Sequence, residues 1–110
     1  MTHSVLELAS ITLAEGSTEA DLLAASTHFQ TAFLDHQPGF LRRDLVRKGD
    51  GSFLDVVLWE SRAHADAVME QAEGSEAVGQ YFSHMVFDPE AMEEGVEHCT
   101  LLGSYAAKAA

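Results

Sequence analysis

The chain has 110 residues, 46% of them hydrophobic, which suits one packed domain and argues against disorder. Its 18 acidic residues face only 6 basic ones, for a net charge of -12, so its surface repels phosphate backbones and anionic lipid and neither nucleic acid nor membrane is an expected partner. No apolar run approaches the ~20 residues of a membrane span, no charged-then-apolar leader opens the chain, and the lone Cys99 cannot close an intrachain disulfide, so a cytoplasmic protein is expected.

Val5 to Leu13 reads as a first strand, apolar on both faces apart from Glu7, Ser10 and Thr12. Glu15-Gly16-Ser17 ends it. Thr18 followed by Asp21 is a capping-box variant that opens a helix reaching about Asp35. Leu22, Ala25, Phe29, Ala32, Phe33 and His36 form its expected apolar stripe. Pro38-Gly39 stops the helix, and Phe40 to Lys48 is a second, highly charged strand.

Lys48-Gly49-Asp50-Gly51-Ser52 is a hairpin turn, with Gly and Asp at positions that tolerate positive φ. Phe53 to Trp59 is a third strand, buried on both faces by its composition. Ser61 is a good N-cap for a second helix with a stripe of Ala65, Val68, Met69 and Ala72. Gly74-Ser75 interrupts, and Glu76 to Met85 restarts as a short helix. Asp88-Pro89 marks a loop, and Val96 to Gly103 is a fourth strand. One domain over residues 1–110 follows, with an ordered core of about 4–103 and a tail at 104–110.

The order β-α-β-β-α-β is the ferredoxin-like arrangement, an α+β sandwich. It places the first and third strands centrally and the second at an edge. Arg42, Arg43, Arg47 and Lys48 on that second strand read either as protection of an exposed edge or as attraction for an anionic or enolate-forming substrate. Helices can cover one face of the sheet only. The apolar second face of the central strands therefore calls for a second copy of the sheet, and a homodimer packed sheet to sheet is expected.

Trp59-Glu60-Ser61-Arg62 at a strand end, preceded by Pro38-Gly39-Phe40-Leu41 before the second strand, resembles the antibiotic-biosynthesis-monooxygenase-like family. The resemblance runs from Val5 to Gly103. It implies a dimeric α+β barrel with a pocket between helices and sheet, and an activity among cofactor-independent oxygenases of polyketides or quinols, haem-degrading monooxygenases, or members with no assigned activity. The haem-degrading members use an Asn, a Trp and a His. Only the Trp is matched, as Trp59. Ala9 stands near the Asn position and Met69 near the His position, so haem degradation is not expected.

Trp59 reads as a plug between sheet and helix or as a pocket wall that stacks on a flat substrate; strand alternation puts it on one face with Phe53, Asp55 and Val57. Asp55 is the odd polar residue of that face. Buried, it is a candidate general base; otherwise it is solvated near the hairpin or paired with an arginine of the second strand. His98 is the other candidate acid or base, or else a neutral histidine at the sheet face or dimer seam. His28, His36, His64 and His84 line a helix-sheet cleft in one reading and sit at the surface in the other.

No H-x-H, H-x-x-x-H or C-x-x-C pair offers metal-ligand spacing, and no P-loop, dinucleotide fingerprint or G-x-S-x-G is present. A metal or cofactor is therefore not expected, and a mid-strand Cys99 reads as an inert small hydrophobe. The leading expectation is an oxygenase-like enzyme for a small planar phenol or quinol. Asp55 and His98 would be catalytic, and Trp59, Phe29, Phe33, His64 and His84 would bind substrate. The alternative is a noncatalytic binding or interaction module of the same fold.

Overall fold

The computed structural model describes residues 3–86 and 95–108. The Asp88-Pro89 loop expected from the sequence lies outside the described residues. Four strands, β1 (Val5–Ile11), β2 (Phe40–Arg47), β3 (Phe53–Trp59) and β4 (Val96–Thr100), form one sheet in the order β2-β3-β1-β4. Every neighbouring pair is antiparallel. Helices α1 (Glu19–Ala32), α2 (Arg62–Ala72) and α3 (Glu76–Phe82) complete an α+β ferredoxin-like fold.

The register assigns the two faces of the sheet. Val5, Glu7, Ala9 and Ile11 stand opposite Trp59, Val57, Asp55 and Phe53. Directly opposed residues share a face, so these eight look toward the helices. Along β3 burial alternates strictly: Phe53, Asp55, Val57 and Trp59 are buried, while Leu54, Val56 and Leu58 are half-buried. The second set, with Leu6 and Leu8 of β1, forms the sheet face that the helices leave uncovered.

Local signals set the helix ends. Thr18 closes a full capping box: its Oγ1 accepts from Asp21 N at 3.1 Å, and its own N–H donates to Asp21 Oδ2 at 3.0 Å. Ser61 caps α2 by accepting from His64 N at 3.2 Å. Gly39 is required where β2 begins. Its φ is +77°, and a Cβ there would run into the His64 ring, so the chain can pass the start of α2 only as glycine. The approach is pinned by Glu60 N–H donating to Gly39 O at 2.8 Å.

Two expected stripes shift. After Ala32 the chain tightens into a 3-10 turn over Leu34–His36, which turns Leu34 inward and leaves Ala32 and His36 exposed. In α2, Ala65 is buried and Val68 and Ala72 partly so, but Met69 is 54% exposed at the helix edge. The first core cluster is Phe33, Leu34, Val57, Trp59, Ala65 and Val78; the second is Ile11, Leu22, Phe53 and Tyr81. Phe29 packs against both. Beyond α3 the chain returns to the first strand, with Val86 N–H donating to Thr12 O and Ala14 N–H to His84 O.

Candidate functional site

Between sheet and helices lies a cavity of about 500 Å³. Its wall is mainly apolar. Phe29 and Phe33 come from α1, Val57 and Trp59 from β3, and Val78 from α3. Among the described residues, the acidic and phenolic side chains that reach it are Glu7, Asp55 and Tyr81. A concave apolar space with a few placed polar groups is the usual form of a small-molecule site.

The aromatic wall is ordered by stacking. Phe29 stacks on Tyr81 with centroids 4.7 Å apart and on Phe33 at 5.7 Å. Trp59, 1% exposed, meets Phe40 edge-on at 5.7 Å. Its indole Nε1 is buried without a hydrogen-bond partner among the described residues. A buried N–H in that state normally finds a partner, and its desolvation costs about 1–3 kcal/mol.

Asp55 is buried on the helix face and is closely held. Arg43 Nε donates to its Oδ1 at 2.9 Å, and Tyr81 O–H donates to its Oδ2 at 2.6 Å. Arg43 Nη2 also donates to the Tyr81 oxygen at 2.8 Å and to Ser26 Oγ at 2.7 Å. The Arg43 and Asp55 side chains are only 5% and 8% exposed. Arg43 Cζ stands 5.1 Å from the centroids of both Phe29 and Tyr81. Burial, helped by the adjacent Asp55 charge, pushes the Tyr81 phenol well above its usual range, so it stays a hydrogen-bond donor.

The basic cluster of β2 therefore divides. Arg42 pairs with Asp44 at 2.9 Å and Arg47 with Glu19 at 2.9 Å, both exposed. Arg43 does not serve the edge. Strand alternation turns it under the helices, diagonal to Asp55 across the β2-β3 ladder. Of the two readings of Asp55 outside catalysis, pairing with a second-strand arginine is the one found, in the core instead of in solvent.

Glu7 sits on β1 opposite His98 of β4. His98 Nε2 lies 3.0 Å from Glu7 Oε2. Burial holds the Glu7 carboxyl above its ordinary range, although the His98 hydrogen bond acts in the opposite direction.

Of the residues expected to form the site, Asp55, Trp59, Phe29 and Phe33 meet at the cavity. The described wall excludes three histidines. His98 stands behind Glu7. His64 is drawn to its own helix cap, with Nδ1 2.7 Å from Ser61 Oγ. His84 is held 3.0 Å from Ser17 Oγ. His28 and His36 are exposed.

Glu7 and Tyr81 went unremarked as site residues. Glu7 is the lone charge in a strand that is otherwise apolar but for Ser10, and that is its signal. Tyr81 lies in a helix of 7 residues, too short for its periodicity to stand out.

The architecture matches solved structures over nearly its whole length. SnoaB, a cofactor-independent oxygenase from Streptomyces nogalater, superposes with a TM-score of 0.66 at 17% identity, over 94% of this chain and 96% of that one. A protein from Bordetella bronchiseptica, provisionally described as an antibiotic biosynthesis monooxygenase, gives 0.73 at 21% identity, over 91% and 98%. The fold is that of the antibiotic-biosynthesis-monooxygenase-like proteins. A haem-degrading protein from Mycobacterium tuberculosis shares it too, with a TM-score of 0.64 at 18% identity over 97% and 100%. By sequence, no family model and no curated protein matches the chain. At these identities the likeness establishes fold, and chemistry must be argued from the cavity.

Proposed function

We propose that the protein is a cofactor-independent monooxygenase-like enzyme that takes a small planar phenol or quinol into the cavity beside Trp59. The observation that carries this reading is the apolar, aromatic cavity wall of Phe29, Phe33, Val57 and Trp59, into which only a few polar side chains reach. A flat ligand would lay its ring against Phe29, Phe33 and Val57 and displace water from them, with its hydroxyl free to meet one of the polar groups of the wall. The likeness to SnoaB supports oxygenase chemistry.

In that chemistry the substrate is the reductant and dioxygen the oxidant. Loss of the hydroxyl proton gives a phenolate whose electrons reduce dioxygen. One oxygen atom enters the ring as a carbonyl and the other leaves as water. The chain contributes a dry cavity, orientation and a proton acceptor. Oxygen uptake with a panel of naphthols and naphthoquinols tests the reading. Stoichiometric uptake with at least one, abolished when the cavity is filled by Ala72→Trp, is expected. No uptake with any member would favour the second reading.

That second reading is a binding module without turnover. It is favoured by the Asp55 contacts: both carboxylate oxygens already accept from Arg43 or Tyr81, so Asp55 is poorly placed to take a substrate proton.

The reading includes assembly as a homodimer through the uncovered sheet face. Leu6, Leu8, Leu54, Val56 and Leu58 are only half-buried there. A contiguous aliphatic surface of this kind is seldom left to water. Among the described residues no helix is long and apolar enough to cross a membrane.

A further inference from the structure

Glu7, Asp55 and Tyr81 all line the cavity, but they are not equivalent. Asp55 and Tyr81 satisfy each other and Arg43, in a closed set of one acid, one phenol and one guanidinium. Glu7 stands apart from that set. Among the described residues its one side-chain hydrogen bond is accepted by Oε2 from His98 Nε2, which leaves Oε1 able to accept another. The Glu7 and His98 side chains are 18% and 19% exposed, so the pair borders both the cavity and solvent.

We propose that Glu7, oriented by His98, is the group that accepts the hydroxyl hydrogen bond, and then the proton, of a phenol or quinol held in the cavity. The proposal rests on the cavity being the phenol site. In the step the substrate O–H bond breaks, its electron pair stays on the substrate oxygen, and the proton moves to Glu7 Oε1. No oxidant enters. An ionised carboxylate only accepts, so His98 Nε2–H donates to Oε2 and fixes the carboxylate plane. His98 is thus a positioning residue, and the solvent-facing side of the pair returns the proton to water.

Among the described residues, the charged neighbours of Glu7 come from three elements: His98 on β4, Asp55 on β3 and Arg62 on α2. Burial and Asp55 make the carboxyl a stronger proton acceptor, and His98 and Arg62 moderate that effect. Asp55 has no such vacancy: Arg43 and Tyr81 would have to release it first.

The test compares 2-naphthol with 2-methoxynaphthalene by isothermal calorimetry. The two have the same ring system, but only the naphthol can donate a hydrogen bond. At neutral pH the protein should prefer the naphthol roughly tenfold, the usual worth of a hydrogen bond to a charged acceptor. The preference should fade toward acid pH as Glu7 takes up its proton. Glu7→Gln should lose most of the preference and all of its pH dependence. His98→Leu removes a contact that favours the ionised carboxylate, so the pH profile should move to higher pH. Equal affinity for both probes, a flat profile in the unaltered protein, or an unchanged profile in Glu7→Gln overturns the proposal and leaves the cavity reading standing. If neither probe binds, both readings fail together. The profile of the unaltered protein decides the matter even where a variant folds poorly.

Discussion

Arg43 Nε and Asp55 Oδ1 lie 2.9 Å apart under the helices, Arg43 on the charged edge strand β2 and Asp55 on the apolar central strand β3. A buried pair of this kind gives little net stability as a pair, because desolvation offsets much of the attraction. Losing one partner is another matter. Asp55→Asn leaves the guanidinium buried without its counter-charge, and should lower unfolding stability by about 3–5 kcal/mol. Adding Arg43→Met to Asp55→Asn should recover a large part of that loss. Urea midpoints of the single and double variants check the coupling. Strictly additive losses would show that the two side chains do not depend on each other.

The same pair marks the limit of what the residues disclose on their own. The third strand was legible because its alternation is clean. The capping box at Thr18 and the cap at Ser61 were legible because both are short-range patterns. Four cations close together on the second strand read as an edge motif, and for Arg42 and Arg47 the exposed pairing fits. Arg43 escaped because its environment is tertiary: it is covered by residues of α1 and α3, 17 and 38 positions away. The histidines misled in the opposite direction. His64 and His84 were free to be cleft residues until the fold placed a serine beside each.

Gly39 and Gly79 should respond to alanine in opposite directions. Gly39 has φ +77° and its missing Cβ would meet the His64 ring, so Gly39→Ala should destabilise by about 1–3 kcal/mol. Gly79 is inside α3 with open space where its Cβ would stand. Gly79→Ala should stabilise by about 0.5–1 kcal/mol. Thermal unfolding of the two variants gives the comparison; similar shifts would remove the role assigned to the Gly39 approach.

Glu7 sets a pH dependence whose sign is fixed. Burial raises its carboxyl above the ordinary value of 4.5. In the window between that value and the raised one, the folded state holds a proton that the unfolded chain has released. Stability from this group is therefore lost as pH rises through the window, and the full penalty persists above it. Glu7→Gln should gain stability relative to the unaltered protein across the window and keep the gain at neutral pH. Denaturant midpoints at several pH values test this, and a constant difference at every pH would contradict it.

The uncovered sheet face predicts a change of assembly. Val56 stands at its centre, opposite Leu8 of β1 and Asp44 of β2. Val56→Lys places a charge where a second sheet would have to pack. Light scattering should give twice the chain mass for the unaltered protein and the single-chain mass for the variant, with circular dichroism unchanged. A folded monomer in the unaltered protein would remove the sheet-to-sheet dimer.

Haem should fail as a substrate. The described cavity wall contains no histidine to hold the iron, and Met69 and Ala9 line the cavity without a ligating imidazole or an amide. Haem mixed with the protein and ascorbate should keep its absorption spectrum. Iron release or an open-chain product would overturn this expectation.

The most direct measurement of the central claim is the fluorescence of Trp59, the only tryptophan in the chain. The indole forms part of the cavity wall, so a planar phenol bound there lies close enough to quench it. Titration should quench the emission saturably, with a single apparent Kd, and Ala72→Trp being unsuited to this readout, Ala72→Phe should weaken the binding by filling the cavity. Quenching that rises linearly without saturation, or none at all, would contradict the claim that this cavity is a ligand site.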